Sequence, residues 1–417
     1  MEFTATKTGF GHRREVSALC DGARENFNGK AWPGLWTSKL EFGAEIIRAH
    51  PAHAGLVEKS FSAWTADQLQ GNKKIEDELS GRRRCFDLNT SVRDYSDKAI
   101  VVSKDVSVWL ESGESNRFAV EHKTVFRVRN MDFHSIFFVH KGHGFFWTDF
   151  GKMTYKTGDF ISIPQGTTYA MFSDFAGGVS SVLEYRFSKK IMKPCNYWID
   201  GYPYSSSALK VPQPFDSGHM KFDPSDKNGK WRVYGRRFDG GLAYISYPFS
   251  PFDGIAWEGD LYPFILHTKD IRTLSSPDFH IDPKAFTIFV TEDESASMQI
   301  FLPRWVHSLP YPHQNNMDEL LFNHEGYSAR PDVKDGFATL HPAGIFHGPD
   351  IEIQNRENCR DLARSEWRDE TAVMLESKSP LLIFPDARVL EVKGYEEGFG
   401  EKFKTLKTGV RNEQNNF

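Results

Sequence analysis

Two histidines and a glutamate in the second half of the chain have the residue types and spacing of a metal site. Glu319 begins the apolar segment ELLFNHEG, His313 lies six residues before it, and His347 closes the segment GFATLHPAGIFH. Two neutral imidazoles and one carboxylate, without a thiolate, suit the non-heme iron of oxygenases, where three further positions stay open for O2 and substrate. The pattern predicts that His313, Glu319 and His347 bind Fe(II).

An internal repeat surrounds these residues. Residues 133–169 read FHSIFFVHKGHGFFWTDFGKMTYKTGDFISIPQGTTY, and residues 317–347 read MDELLFNHEGYSARPDVKDGFATLHPAGIFH. In both copies an apolar strand runs into a glycine turn, and the copy ends on Gly, five residues, Pro-x-Gly and a closing residue. Glycine at each turn admits positive φ between the strands of a small barrel. The pattern resembles the second characteristic motif of cupins and predicts two cupin barrels in one chain.

The two copies differ at the predicted ligand positions. When the three positions are transposed onto the first copy, they hold Arg129, Ser135 and Tyr169. None of these side chains suits a divalent iron, so the first barrel is expected to be structural and the second to hold the metal. His324 follows Glu319 by five residues on the same strand, and strand alternation predicts that it points to the opposite face.

The pattern of apolar and polar residues along the chain predicts a mainly β protein, a bicupin of two cupin (jelly-roll) β-barrels with a partly helical N-terminal region. Apolar residues recur near helical spacing in Leu40–Ala49 and Leu56–Leu69, whereas short alternating runs dominate from about residue 98. The predicted segments are a divergent N-terminal region at 1–95, a metal-free barrel at 96–250, an iron-binding barrel at 251–392 and a peripheral tail at 393–417.

Composition excludes several classes of partner. The net charge of -5 over 417 residues gives no reason to expect nucleic acid or an anionic membrane. The four cysteines are scattered without CxxC spacing, which argues against a zinc-thiolate site or a disulfide framework and favours a reducing compartment. No apolar run approaches the roughly 18 residues of a membrane span, and the N-terminus lacks a signal-peptide pattern. We therefore expect a cytoplasmic protein.

Several motifs resemble those of homogentisate 1,2-dioxygenases. They are PYPHQNNMDELLF and GFATLHPAGIFHGPD, with WEGDLYPF at Trp257–Phe264, FHIDPKAFTIFVT at Phe279–Thr291 and FLPRW at Phe301–Trp305. The resemblance spans about residues 98–390 and is densest over 255–350. It implies an enzyme of aromatic catabolism that uses Fe(II) to insert both atoms of O2 into a hydroquinone-type ring such as homogentisate, and a homo-oligomer, trimeric or hexameric.

The resemblance also implies roles for single residues, beginning with the same three iron ligands. His280 matches the family's acid/base and substrate-contacting histidine, and His341 matches a second catalytic histidine beside the substrate. His347 is expected to contact the substrate as well as the iron. Tyr327 matches a tyrosine of the substrate pocket, although it lies one residue closer to Glu319 than the family pattern places it.

The departures from the family leave the exact substrate more open than the iron chemistry. The sequence has KDGFATLH where the family has a glycine-rich PGGASLH, and residues 1–95 show no match. Homogentisate and another hydroquinone are therefore both compatible with the motifs. Two other classes of protein remain as alternatives: a cupin isomerase or hydrolase using Zn2+ or Mn2+, and a non-catalytic bicupin for binding or storage. The last class would have no need of His280 and His341.

Overall fold

The computed structural model describes the central part of the chain and a few shorter stretches. The described residues are 35–38, 46–49, 83–89, 98–114, 125–173, 179–194, 202–213, 223, 225–226, 228–247, 250–252, 256–258, 262–307, 313–328, 330, 332–348 and 365–395. They are mainly β, as predicted. Within these ranges no helix has the length and apolar character needed to span a membrane.

The strands are short and are joined by turns and 3-10 helices. In chain order they are β1 Leu35–Ser38, β2 Ile46–Ala49, β3 Arg84–Asp87, β4 Lys98–Val102, β5 Val106–Glu114, β6 Arg127–Asn130, β7 His134–Lys141, β8 His143–Thr148, β9 Gly151–Lys156, β10 Asp159–Ile163, β11 Thr168–Ser173, β12 Val179–Phe187, β13 Ile191–Met192, β14 Trp231–Arg236, β15 Leu242–Tyr247, β16 Ala256–Glu258, β17 Phe264–His267, β18 Thr287–Thr291, β19 Ala296–Phe301, β20 Arg304–His307, β21 Asp318–Gly326, β22 Phe337–His341, β23 Ser365–Arg368, β24 Glu370–Ser377 and β25 Leu382–Ile383. The 3-10 helices are Ser206–Ala208, Thr268–Asp270, Pro283–Phe286 and Pro385–Leu390.

The first cupin unit is a sandwich of two sheets. Sheet I has the strand order β17-β10-β7-β12-β5-β4-β25, and sheet II has the order β15-β14-β6-β11-β8-β9. Apolar side chains from both sheets form one core between them, including Phe137, Ile161 and Val182 from sheet I and Phe146 and Met171 from sheet II. The described strands do not close into one hydrogen-bonded ring, so the predicted barrel takes the double-sheet jelly-roll form.

The second cupin unit is built on sheet III, with the order β13-β18-β19-β24-β21-β22-β3, and on a separate ribbon of β20 and β23. Alternation along β21 divides its side chains between two faces. Leu320 and Phe322 belong to the large core that sheet III shares with sheet I. Leu321 contributes to a smaller core on the opposite face. Glu319, two residues before Leu321, therefore faces the interior of the second unit.

The glycine turns predicted from the repeat are confirmed. Gly158 and Gly166 have φ of 84° and 75°, and the corresponding Gly336 and Gly344 have φ of 80° and 75°. A Cβ at Gly336 would lie 2.4 Å from the side-chain oxygen of Asn89, so a larger residue meets a contact as well as backbone strain there. Both copies thus turn from one strand to the next in the same way.

Strands from distant parts of the sequence complete each unit. β3 extends sheet III beside β22, and β25 extends sheet I beside β4. β17 pairs with β10, so the sheet of the first unit continues past residue 250. The helical prediction for Leu40–Ala49 is wrong at its end, because Ile46–Ala49 forms β2, and β-branched isoleucines favour extended backbone. The predicted helix at Leu56–Leu69 lies outside the described residues.

Candidate metal centre

Glu319 and His341 face each other across two neighbouring strands. They are direct partners in the antiparallel register of β21 and β22. The Nδ1 of His341 lies 2.9 Å from Oε1 of Glu319, and because an ionised carboxylate can only accept, the imidazole donates. The other ring nitrogen, Nε2, is then an acceptor. It is buried and has no hydrogen-bond partner among the described residues.

His347 brings a second imidazole nitrogen to the same place. Its Nδ1 donates to the carbonyl oxygen of Ile345 at 2.9 Å, which fixes the lone pair on Nε2. That Nε2 lies 3.7 Å from Oε2 of Glu319 and is also buried without a hydrogen bond in the described part of the chain. The ring stacks on His341 with 4.4 Å between centroids and 17° between planes.

These three side chains form a compact donor set. One ligand atom from each of Glu319, His341 and His347 lies within 4.8 Å of the other two. Buried polar atoms normally have a partner, so two imidazole lone pairs beside a carboxylate are a costly arrangement without one. A metal cation accepts electron pairs from all three groups. The donor set therefore fits a metal ion.

The charges of the centre also suit a cation. Burial raises the pKa of Glu319, but the hydrogen bond from His341 to its carboxylate and the adjacent imidazole of His347 outweigh burial and hold the pKa below its ordinary value. Burial lowers the pKa of His341 to about 3, so this imidazole is neutral near pH 7. The centre thus holds a carboxylate whose charge is not cancelled by protonated His341.

His313 lies beside this set but is not part of it. It forms a β-bridge with His347, and the N–H of each residue donates to the carbonyl of the other at 2.8 Å. The two rings are 4.5 Å apart between centroids, and His313 is exposed. The compact set contains His341 in place of the predicted ligand His313, and the rings of both histidines contact the ring of His347. Both can therefore be tested as ligands.

Two residues of the centre were not predicted from the sequence. Asn315 donates its side-chain N–H to Oε2 of Glu319 at 2.9 Å. Glu376 lies directly opposite Glu319 in the register of β21 and β24, is 6% exposed, and accepts a hydrogen bond from Gln299 at 2.7 Å. Burial and the nearby charge of Glu319 raise the pKa of Glu376. The alternation within ETAVMLES could have indicated that Glu376 points inward. The local sequence does not show that its strand pairs with the strand of Glu319.

The remaining predicted residues, His280 and Tyr327, are not members of the compact set. His280 is exposed in the loop before the 3-10 helix Pro283–Phe286, with its Nδ1 3.2 Å from the carbonyl oxygen of His307. Tyr327 follows the last residue of β21. The guanidinium of Arg368 lies over the ring of Tyr327, 4.7 Å from the ring centroid. At about 3.3 Å per residue, the strand carries Tyr327 more than about 20 Å from Glu319.

His324 points away from the centre, which confirms the alternation argument. Its side chain lies in the contact between sheets I and III, where its Nδ1 is 2.8 Å from Nδ1 of His140. The odd separation from Glu319 correctly assigned it to the other face of β21.

Comparison with known proteins identifies the family. The family models for homogentisate 1,2-dioxygenase match residues 92–267 with the N-terminal domain and residues 270–410 with the C-terminal domain. A relative from Saccharolobus solfataricus, "Putative dioxygenase SSO1533", is 28% identical over 281 residues, which are 64% of this chain and 68% of that protein.

Two solved structures with low overall similarity were also found. A cupin 2 conserved barrel domain protein from Leptotrichia buccalis is 9% identical, with 79% of this chain and 99% of that chain covered and a TM-score of 0.30. Procruciferin, an 11S globulin from Brassica napus, is 11% identical, with 72% and 86% covered and a TM-score of 0.30. The two family models together span residues 92–410 except for two positions, and the chain therefore belongs to the homogentisate 1,2-dioxygenase family.

Proposed function

We propose that this protein is an Fe(II)-dependent ring-cleaving dioxygenase that inserts both atoms of O2 into a hydroquinone-type aromatic such as homogentisate. Membership of the family supports a metal-dependent dioxygenase. The observation that carries the proposal is the ionised Glu319 beside the buried Nε2 of His347, which lies 3.7 Å from Oε2 of Glu319 and has no hydrogen-bond partner among the described residues. Nitrogen and carboxylate ligands without thiolate suit iron that keeps positions open for substrate and O2.

Within this proposal, His313, Glu319 and His347 hold the ion, and His341 orients the carboxylate. The Nδ1–H of His341 occupies Oε1 of Glu319, while Asn315 donates to Oε2. Hydrogen bonds of this kind fix the direction in which a ligating carboxylate presents its lone pairs. When bound, Fe(II) supplies a Lewis acid that makes a phenol more acidic and a place where O2 meets the ring.

His280 is proposed to take the phenol proton. Its Nδ1 faces the carbonyl oxygen of His307, which can only accept, so the hydrogen resides on Nδ1 and the lone pair on Nε2. An exposed Nε2 is available to accept a proton from a substrate that enters from solvent. We expect His280→Ala to retain iron and lose turnover. Normal turnover by this variant would contradict the assignment of the base.

The test is O2 consumption by protein loaded anaerobically with Fe(II). Homogentisate, gentisate, hydroquinone and catechol are offered in turn, and we expect one of the first three to consume one O2 per ring with a new ring-opened chromophore. Protein loaded with Zn2+ is the control and should consume none. Conversion without O2 in the zinc-loaded protein would instead support an isomerase or hydrolase. Bound iron without conversion of any compound would favour another substrate or a binding role. The homo-oligomer and the cytoplasmic location stay predictions.

A further inference from the structure

Two histidines outside the metal centre occupy equivalent positions in the two copies of the repeat. When the HKG that ends at Gly142 is aligned with the HEG that ends at Gly326, His140 matches His324, and Phe138 matches Phe322. Both pairs belong to the strand that runs into the first glycine turn, β7 in one unit and β21 in the other. We call Phe138, His140, Phe322 and His324 the interface quartet.

The members of the interface quartet contact their own counterparts between sheets I and III. Phe138 lies 5.1 Å from His324 and His140 lies 5.1 Å from Phe322, measured between ring centroids. The like pairs also meet, with 5.0 Å between the histidines and 6.2 Å between the phenylalanines. Reciprocal contacts of this kind are those of a two-fold interface, so a local two-fold axis relates the strands here.

A β-bulge lies at each histidine. The pairing of β7 with β12 passes from Val139 to Lys141 across a register shift, and the pairing of β21 with β24 passes from Asn323 to Glu325 in the same manner. The histidine is in each case the extra residue of the bulge. The two units thus have the same irregularity at the residue that makes the contact.

The contact between the two imidazoles requires at least one of them to be neutral. Their Nδ1 atoms are 2.8 Å apart, so one must donate a hydrogen and the other must accept it. His140 is 3% and His324 is 6% exposed, and the Nε2 of His140 has no hydrogen-bond partner among the described residues. If both rings were protonated, neither Nδ1 could accept, and two buried cations would lie in contact.

The charged neighbours act on the two rings differently. Burial first, and then His324 and the ammonium of Lys141 on the same strand, lower the pKa of His140 to about 3. Burial lowers the pKa of His324 to about 4, while the carboxylate of Asp335, in the turn before β22, opposes this and Lys141 adds to it. Both directions keep the two rings neutral near pH 7, in agreement with the contact between their Nδ1 atoms.

We propose that the His140–His324 contact is a pH-sensitive connection between the two cupin units, which holds while at least one imidazole is neutral and is lost when both are protonated. This property is independent of the reaction at the metal centre. In the unfolded chain both histidines titrate near 6.5, above their values in the folded protein. The unfolded state therefore binds more protons between about pH 6.5 and 4, and stability falls as the pH falls through this window. The unfolding constant rises by up to about tenfold per pH unit for each histidine.

The test compares urea unfolding of the full chain between pH 7.5 and 4.5 with that of the double variant His140→Asn/His324→Asn. Asparagine keeps a donor and an acceptor near the place of Nδ1 but does not titrate. The two histidines together can change the wild-type unfolding constant by up to about 100-fold per pH unit, and we expect this contribution to be absent from the double variant. His143→Asn, which replaces an exposed histidine on β8, is the matched control and should keep the wild-type dependence. A double variant with the control's pH dependence would overturn the proposal.

A second measurement decides the case if the double variant does not fold. Wild-type protein with isotope-labelled histidine is titrated by NMR, with His140→Asn and His324→Asn single variants used to assign the two rings. We expect both rings to stay neutral down to about pH 5, with unequal Nδ1 signals because one donates and the other accepts. Titration of either ring near pH 6.5 would contradict the proposed connection.

Discussion

Inside the first cupin unit a buried carboxylate has cations from the chain itself, whereas inside the second unit the buried carboxylate has neutral partners. Glu184 is 0% exposed, and the guanidiniums of Arg186 and Arg236 each approach one of its oxygens to 2.6 Å. Glu319 is hydrogen-bonded to His341 and Asn315. The comparison suggests that arginine in the first unit has the electrostatic role that a metal ion has in the second.

The electrostatics of Glu184 fit this comparison. Burial raises its pKa, but the two guanidiniums outweigh burial and lower the pKa to about 2. Ser135, at the position of Glu319 in the repeat, donates its hydroxyl to Glu184 at 2.6 Å. Tyr169, at the position of His347, accepts a hydrogen bond from the guanidinium of Arg236 through its hydroxyl oxygen. The ligand positions of the second unit are thus part of a closed ion-pair network in the first.

Transposition of the ligands by sequence alone was wrong by one residue at one position. In the strand pairing, Tyr169 lies opposite Val128, as His347 lies opposite His313. The alignment had placed Arg129 there. Since neighbouring residues of a strand point to opposite faces, Arg129 instead hydrogen-bonds Thr168 outside the core of the first unit. The register of the pairing, and not the residue count, decides equivalence.

The largest effect expected from this comparison is the loss of metal by Glu319→Gln. Removing the carboxylate leaves imidazoles without an anionic ligand, so iron affinity should fall by more than the 10–100-fold typical of residues that only support a ligand. Iron content after dialysis and O2 uptake measure the effect. Glu184→Gln in the first unit is the matched control, and its folded fraction should still bind one iron per chain. Full iron content in Glu319→Gln would refute the site.

The next effect is on stability, in the first unit. Arg236→Met removes one of the two cations from a fully buried carboxylate, and breaking a buried pair costs about 3–5 kcal/mol of the free energy of unfolding. Urea denaturation measures the loss at pH 7. The double variant Arg236→Met/Glu184→Gln should recover part of it, because the uncompensated charge is gone. Unchanged stability in Arg236→Met would show that the network does not neutralise Glu184.

A comparison of His313→Gln with His341→Gln tests which of the two histidines binds the metal. If His341 supports Glu319 without binding the ion, His341→Gln should keep one iron with affinity lowered about 10–100-fold, whereas His313→Gln should lose it. Two measurements distinguish the variants. Iron titration gives the affinity of each variant, and the ligand-field absorption of a cobalt-substituted sample reports the ligands around the metal. The opposite result would assign the metal to the compact set Glu319, His341 and His347 seen in the structure.

The sequence predicted what depends on local period and turn chemistry. The repeat, its glycine turns and the opposite faces of Glu319 and His324 follow from strand alternation and from positive φ. Features that depend on which strands pair were missed. Glu376 became a neighbour of Glu319 only through the register of β24, and Arg236 reaches Glu184 across 52 positions of the chain. No pattern along one strand reports such contacts.

The smallest expected effect is a loss of stability when the glycines in the turns of the repeat are replaced. Gly344 has φ of 75° with nothing within 4 Å of a Cβ, so Gly344→Ala should cost about 1 kcal/mol, the penalty of left-handed backbone for an L-residue. Gly336→Ala should cost more, because its Cβ also meets the side chain of Asn89 at 2.4 Å. Denaturant midpoints of the two variants, with Gly336→Ala/Asn89→Ala as the control, separate backbone strain from contact. Equal losses for Gly336→Ala with and without Asn89 would show that Asn89 moves aside at no cost and that backbone conformation alone maintains this glycine.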